Sequence, residues 1–178
     1  MTELRLPAWA VVREKRRAHI ERVTQLISEW AAARKLDAAG AAAWRDAAAW
    51  HDALRDAPYA ELGAPTLDPS LPDWAWHGPA AADRLVAEGE SRDDVLEAIR
   101  WHTLGEASWA ATGRALFCAD FLEPGRSFLK QERAELAARF STDPDGVLRD
   151  VVRMRLDKAL REGEPIHPRT AALWEVVR

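Results

Sequence analysis

The sequence predicts a single-domain, all-α helical bundle, and three observations carry that prediction. Alanine is very abundant, runs of β-branched residues are absent, and apolar residues recur at spacings of three and four. At 178 residues the chain is one domain's worth, long enough to bury a core without disulfides.

The first helix is predicted from about Pro7 to Lys35. His19, Val23, Leu26, Ile27 and Trp30 share one face of it, so His19 points inward with the core residues. A second helix covers about Asp37 to Leu54, with Asp37 as N-cap. The stretch Asp56–Asp73 holds four prolines and reads as a surface loop. A helix then starts near His77 and ends at Glu88-Gly89. Ser91-Arg-Asp-Asp94 resembles a capping box for the next helix, which carries Val95, Leu96, Ile99 and His102 and ends at Gly105. Another runs from about Ser108 to Leu122, delivering Asp120 near its C-terminal end before the Pro124-Gly125 stop. The tail adds helices over Gln131–Phe140, Pro144–Arg161 and Pro168–Val177.

The bulk properties narrow the function classes. A net charge of −4 argues against a nucleic-acid-binding surface. The arginine-rich segment VREKRRAHIERV mixes its basic residues with glutamates and reads as a solvated helix face. No apolar run approaches the length of a membrane span, and MTELRLPAW lacks the basic-then-apolar order of a secretory leader, so a cytoplasmic location is expected. Cys118 sits in the apolar run ALFCADFL and reads as a buried, inert thiol. A monomer and a homodimer both remain open.

Chemistry enters with a series of ligand-type residues: His19, His51-Asp52, His77, His102 and Asp120. Four of the five histidines belong to it; His167, between two prolines, does not. Imidazole and carboxylate together suit a first-row divalent cation such as iron, manganese, zinc or cobalt. Adjacent residues on a helix diverge by about 100°, so His51 and Asp52 can share a cation lying off the helix end. One ligand from each of the other helices would close a site inside the bundle. Taken singly, each residue has a plainer reading: His19 as a satisfied core histidine, His77 as a cap, Asp120 as a carboxylate bonded to an arginine. Taken together, the series favours a metal centre.

The order H…HD…H…H…D, with Trp76-His77, the block AIRWHT from Ala98 with Gly105, and the block ADFLEPGR from Ala119 to Arg126, resembles the HD-domain phosphohydrolases. The finer matches, with PIHPRT at Pro165–Thr170, resemble the YqeK-type symmetrical bis(5'-nucleosyl)-tetraphosphatases, over about Arg16 to Val177. That resemblance implies a dinuclear centre, commonly iron, cleaving diadenosine tetraphosphate to two ADP by a bridging hydroxide. It implies that His19, His51, Asp52 and Asp120 hold one metal, and that His77 and His102 hold the other with Asp52 bridging. Asp52 and Arg55 would be catalytic. Arg55, Thr103, Gly105, Trp109 and Arg126 would face substrate, with a structural role as the alternative for either arginine. Another nucleotide mono- or triphosphate, and a non-catalytic nucleotide-binding regulator, are the competing functions; in the former, Asp56–Asp73 would be a specificity lid.

The chain departs from that family at several positions. Arg55 stands where lysine is usual, Glu106 and Trp109 where a basic residue and a methionine are common, and Glu175 where asparagine is expected. A reversed charge at Glu106 beside a polyphosphate site would weaken binding of so anionic a substrate. Nine tryptophans are many for this length. Trp50 and Trp101 read as core packing behind their neighbouring histidines, whereas Trp74 and Trp109 are candidate platforms for a nucleobase.

Overall fold

The computed structural model describes residues 4–62 and 70–178. Helices account for all the regular structure among them: α1 (Glu14–Ala33), α2 (Ala38–Trp50), α3 (Tyr59–Leu62), α4 (His77–Ala87), α5 (Asp93–Trp101), α6 (Ala111–Leu122), α7 (Lys130–Arg139), α8 (Pro144–Glu162) and α9 (Pro168–Val177), with a 3₁₀ turn at Asp73–Ala75. The all-α bundle is borne out.

Helix α6 is the central rod, and its sequence explains why. Ala115 through Ala119, Phe121 and Leu122 are all buried, so neighbours must cover it on several sides. Helices α1, α2, α5, α7 and α8 pack against it. The predicted inward stripe of α1 is present, with His19, Val23, Ile27 and Trp30 buried and Leu26 half-buried. Trp30 stacks on Phe140 at 3.9 Å and donates its indole N–H to the Ala137 carbonyl, fastening α1 to the end of α7.

Several boundaries differ from the sequence prediction. α1 begins at Glu14 rather than Pro7. The segment before it pairs with another part of the chain: Val11 N–H donates to Ala53 O, Asp56 N–H donates to Val11 O, and Arg13 N–H donates to the Asp56 carboxylate. These bonds keep the segment out of the helix against its local propensity. α2 ends at Trp50, with His51 as its C-cap, and three-residue turns carry the chain on through Asp56. Asp37 does cap α2, accepting from Gly40 N–H at 2.7 Å.

Ser91 does not cap α5. The Glu90 carboxylate accepts from Ser91 and Arg92 N–H instead, and its longer side chain also pairs with the Arg92 guanidinium. α6 starts at Ala111, three residues later than predicted, because Trp109 turns into the core first. Within the expected loop, Tyr59–Leu62 is helical and Asp73–Ala75 is a 3₁₀ turn; positions 63–69 lie outside the described residues. No helix among the described residues is long and apolar enough to cross a membrane.

Candidate metal centre

The six residues of the ligand series arrive from five helices, α1, α2, α4, α5 and α6, and meet at one point. His19 comes from the middle of α1, and Asp120 from the last turn of α6. His51 and Asp52 leave the end of α2, His77 opens α4, and His102 caps α5. Asp52 is the hub. Its Oδ1 lies 3.2 Å from His77 Nε2 and 3.4 Å from His102 Nε2, and its Oδ2 lies 3.6 Å from His19 Nε2 and 3.5 Å from His51 Nε2. Asp120 Oδ1 closes the second side, 3.1 Å from His19 Nε2.

The imidazole protons follow from local structure. Helix C-termini leave carbonyls without intrahelical partners. His51 Nδ1–H donates to Ala48 O at 2.7 Å and His102 Nδ1–H to Ile99 O at 2.7 Å, each three residues back. His77 Nδ1–H does the same with Trp74 O at 3.1 Å, in the 3₁₀ turn. In all three the proton is on Nδ1, and the Nε2 lone pair points inward.

That arrangement tests whether a cation fits. His77 Nε2 and His102 Nε2 face each other at 3.1 Å, and both are lone-pair bearing in this tautomer. Two lone pairs at that distance repel unless a cation or an added proton stands beside them. His51 Nε2 is buried with no hydrogen-bond partner, and His19 Nε2 meets only carboxylate oxygens, Asp120 Oδ1 at 3.1 Å and Asp52 Oδ2 at 3.6 Å. Buried orphan acceptors around a carboxylate are costly alone and natural as metal ligands. Two overlapping ligand groups have suitable spacing, His19 with His51 and Asp120, and His51 with Asp52 and His102. The donor set, all imidazole and carboxylate, fits first-row divalent ions.

The field inside the cluster is strongly coupled. Burial by itself would raise Asp52, but its histidine neighbours, His51 first and then His102 and His77, hold it well below the usual carboxylate range. Asp120 is likewise held low against its burial, by His19 and then Arg126. Burial pulls His51 down to about 4, and lowers His77 too. His19 goes the other way: burial opposes its charge, yet hydrogen bonds to Asp120 and Glu123 lift it to about 9.

Two contacting residues were not singled out from the sequence. Arg16, one turn before His19, donates Nη1–H to Asp52 Oδ2 at 2.7 Å. Glu123, one turn after Asp120 and 2% exposed, accepts from His19 Nδ1–H at 3.2 Å and from Arg22 Nε–H at 2.6 Å. Both lie three residues from a ligand on the same helix face, and that spacing is the signal that could have found them.

The residues expected to face substrate are dispersed. Arg55 donates to Trp74 O at 3.3 Å, beside the His77 end of the cluster. Thr103 Oγ1 is 3.3 Å from His102 Nε2. Arg126 sits on Asp120, Nη2–H to Oδ1 at 2.7 Å, which is the structural arrangement the sequence left as its alternative. Gly105 terminates the α5 turn with φ +93°, and an added Cβ would come within 2.6 Å of Leu173, so α9 occupies that face.

Trp109 is a correction in placement. It is buried, donates its indole N–H to Glu97 O at 3.1 Å, and lies over Gly113, so it has no open ring face for a base. Trp101 packs as expected, under the Arg169 guanidinium at 3.5 Å. Glu106 is ion-paired with Arg169, which offsets the charge reversal noted in the sequence. Trp74 alone of the candidate platforms is exposed, at 43%.

No family model matches the chain. It is 32% identical over 99 residues to the symmetrical bis(5'-nucleosyl)-tetraphosphatase of Halalkalibacterium halodurans, covering 55% of this chain and 52% of that one. It is 28% identical over 96 residues to the Bacillus subtilis protein of that name, covering 53% and 50%. The chain thus spans about half the length of the curated relatives it matches. A crystal structure of a predicted HD superfamily hydrolase involved in NAD metabolism, from Clostridium acetobutylicum, superimposes with a TM-score of 0.78 over 93% of this chain and 90% of that one, at 23% identity. The chain is therefore similar in sequence to the symmetrical bis(5'-nucleosyl)-tetraphosphatases and carries the fold of an HD superfamily hydrolase.

Proposed function

We propose that the protein is a metal-dependent phosphohydrolase acting on a nucleotide phosphoanhydride, with diadenosine tetraphosphate as substrate and two ADP as products. The observation that carries this reading is the division of four imidazole Nε2 atoms between the two oxygens of Asp52. His77 and His102 would hold one cation on the Oδ1 side. His19, His51 and Asp120 would hold a second on the Oδ2 side, with Asp52 joining the two. When bound, such a pair supplies a water activated at neutral pH and Lewis-acid charge for the attacked phosphoryl group. Iron is the metal favoured by the family resemblance.

The protein's own residues set where substrate arrives. Asp120 is the most accessible of the six ligands, its side chain 14% exposed against 0–8% for the others. Arg16 and Arg126 flank that edge, 28% and 34% exposed, each on a ligand carboxylate. There they bring positive charge to an arriving polyphosphate and neutralise charge spread over its oxygens. The low exposure of the remaining ligands keeps bulk water from the reacting group. Arg55 serves the same purpose at the His77 end, and the exposed indole of Trp74 beside it offers a surface for a purine ring.

Chromatography of products tests this reading, using anaerobically purified protein loaded with iron or manganese. ADP as the sole nucleotide product from diadenosine tetraphosphate is expected, with loss of at least about 10²-fold in the His51→Ala variant. Untouched substrate, together with turnover of a mono- or triphosphate, would move the activity to another nucleotide. Tight nucleotide binding without turnover of any would make the protein a regulator instead.

A further inference from the structure

The four histidines of the cluster are not held alike. His51, His77 and His102 each stand at a helix end or turn, where a carbonyl three residues back is available to the ring. His19 lies in the middle of the 20-residue α1, where carbonyls are consumed by the helix itself. Its Nδ1–H must find a partner from elsewhere. The partner is the carboxylate of Glu123, from the turn after α6, 104 residues along the chain.

Glu123 is itself anchored on every side. Its Oε2 accepts from Arg22 Nε–H and from Gly125 N–H, both at 2.6 Å. The buried Arg133 of α7 donates to the carbonyls of Phe121, Glu123 and Arg126, which fixes the turn that carries it. Gly125 leaves room for Arg22: a Cβ there would fall 2.2 Å from the guanidinium Nε. A carboxylate so rigidly held fixes the tautomer and ring plane of His19 and makes its Nε2 a stronger donor than a carbonyl partner would.

Resting on the reading of the cluster as a metal centre, we propose that Glu123 is a positioning residue that acts through His19, and that it sets cation affinity on the Oδ2 side of Asp52 alone. The contact with His102 and His77 on the Oδ1 side involves no carboxylate partner behind the rings, so that half is independent of it.

The test is calorimetric titration of metal-free protein with manganese(II), for the wild type, Glu123→Gln, His19→Ala and the double variant. Two binding events are expected in the wild type. Glu123→Gln should weaken one of them about 10–100-fold and leave the other unchanged, and Glu123→Asp should restore part of the loss. In the double variant the loss should equal that of His19→Ala alone, because a residue acting through His19 has nothing left to act on. Additive losses, or wild-type affinities at both sites in Glu123→Gln, would overturn the proposal. Should Glu123→Gln not fold, the charge-retaining Glu123→Asp carries the same comparison, with wild-type affinity at both sites again overturning it. A wild type that binds no manganese, iron, zinc or cobalt would remove the metal reading and this inference with it.

Discussion

Single side chains in this protein take their roles from what surrounds them. Cys118 shows this most simply: it is fully buried on α6, and burial pushes its thiol up. A thiol without thiolate character is a poor nucleophile. Ellman's reagent should therefore leave the folded protein untouched and titrate one thiol once urea unfolds it. A rapid reaction under native conditions would contradict the burial. The histidines of the cluster follow the same logic in the opposite sense. That they would come together was legible from residue type and order, since four of five histidines fell into one series. Their proton positions were not, because these depend on carbonyls freed only where each helix stops. Trp109 was misplaced for a related reason: nothing local distinguishes an indole that packs over Gly113 from one that waits for a base.

At the scale of helices, two contacts determine how α5 presents His102. One is the approach of α4, where Gly78 lies so close that a Cβ would come within 2.8 Å of both Ile99 O and Arg100 O. Ile99 O is the acceptor that orients His102. Gly78→Ala has backbone, not a flexible side chain, to push against. It should cost about 1–3 kcal/mol in urea unfolding and weaken metal binding on the Oδ1 side as α5 shifts. The other contact is the start of α5, where Glu90 takes the place the sequence pattern gave to Ser91. The Arg92 side chain, first, and the Arg92 and Ser91 N–H groups hold the Glu90 carboxyl at about 2 against the opposing effect of its own burial. A carboxylate lowered by folding stabilises the folded state above its unfolded pKa and loses that contribution as pH falls through the folded value. Glu90→Gln should therefore destabilise by about 1 kcal/mol near neutral pH, and the gap from wild type should shrink between pH 4.5 and pH 2. A gap that stays constant across that range would show the ionised carboxylate is not the source.

For the whole molecule, the proposed metal centre would be coupled to the fold, because the six residues of the cluster come from helices throughout the chain. A ligand that binds only the folded state stabilises it by about 2.7 kcal/mol at a hundredfold excess over its dissociation constant. For a chain of this size that corresponds to a midpoint shift of about 5–10 °C. Exhaustive chelation should lower the thermal midpoint by that amount, and restoring manganese should recover it. An unchanged midpoint would mean that the cluster holds no cation. Without metal the cluster is not left bare: Arg16 sits on Asp52, and His19 is held protonated to about 9 between Asp120 and Glu123. The chelated protein is thus expected to remain folded near neutral pH.

The sequence by itself determined the all-α class, the approximate position of most helices and the order of the residues that meet in the cluster. Those properties are written locally, in apolar spacing, helix-end residues and short motifs that a reader can scan one window at a time. Only the tertiary structure decided which oxygen of Asp52 each histidine faces, that Arg16 and Glu123 join the cluster, and that the segment before Glu14 stays outside α1. Those outcomes rest on contacts between residues 36, 104 and about 42 positions apart, formed when helices pack. No local window contains both partners, so packing alone brings them together.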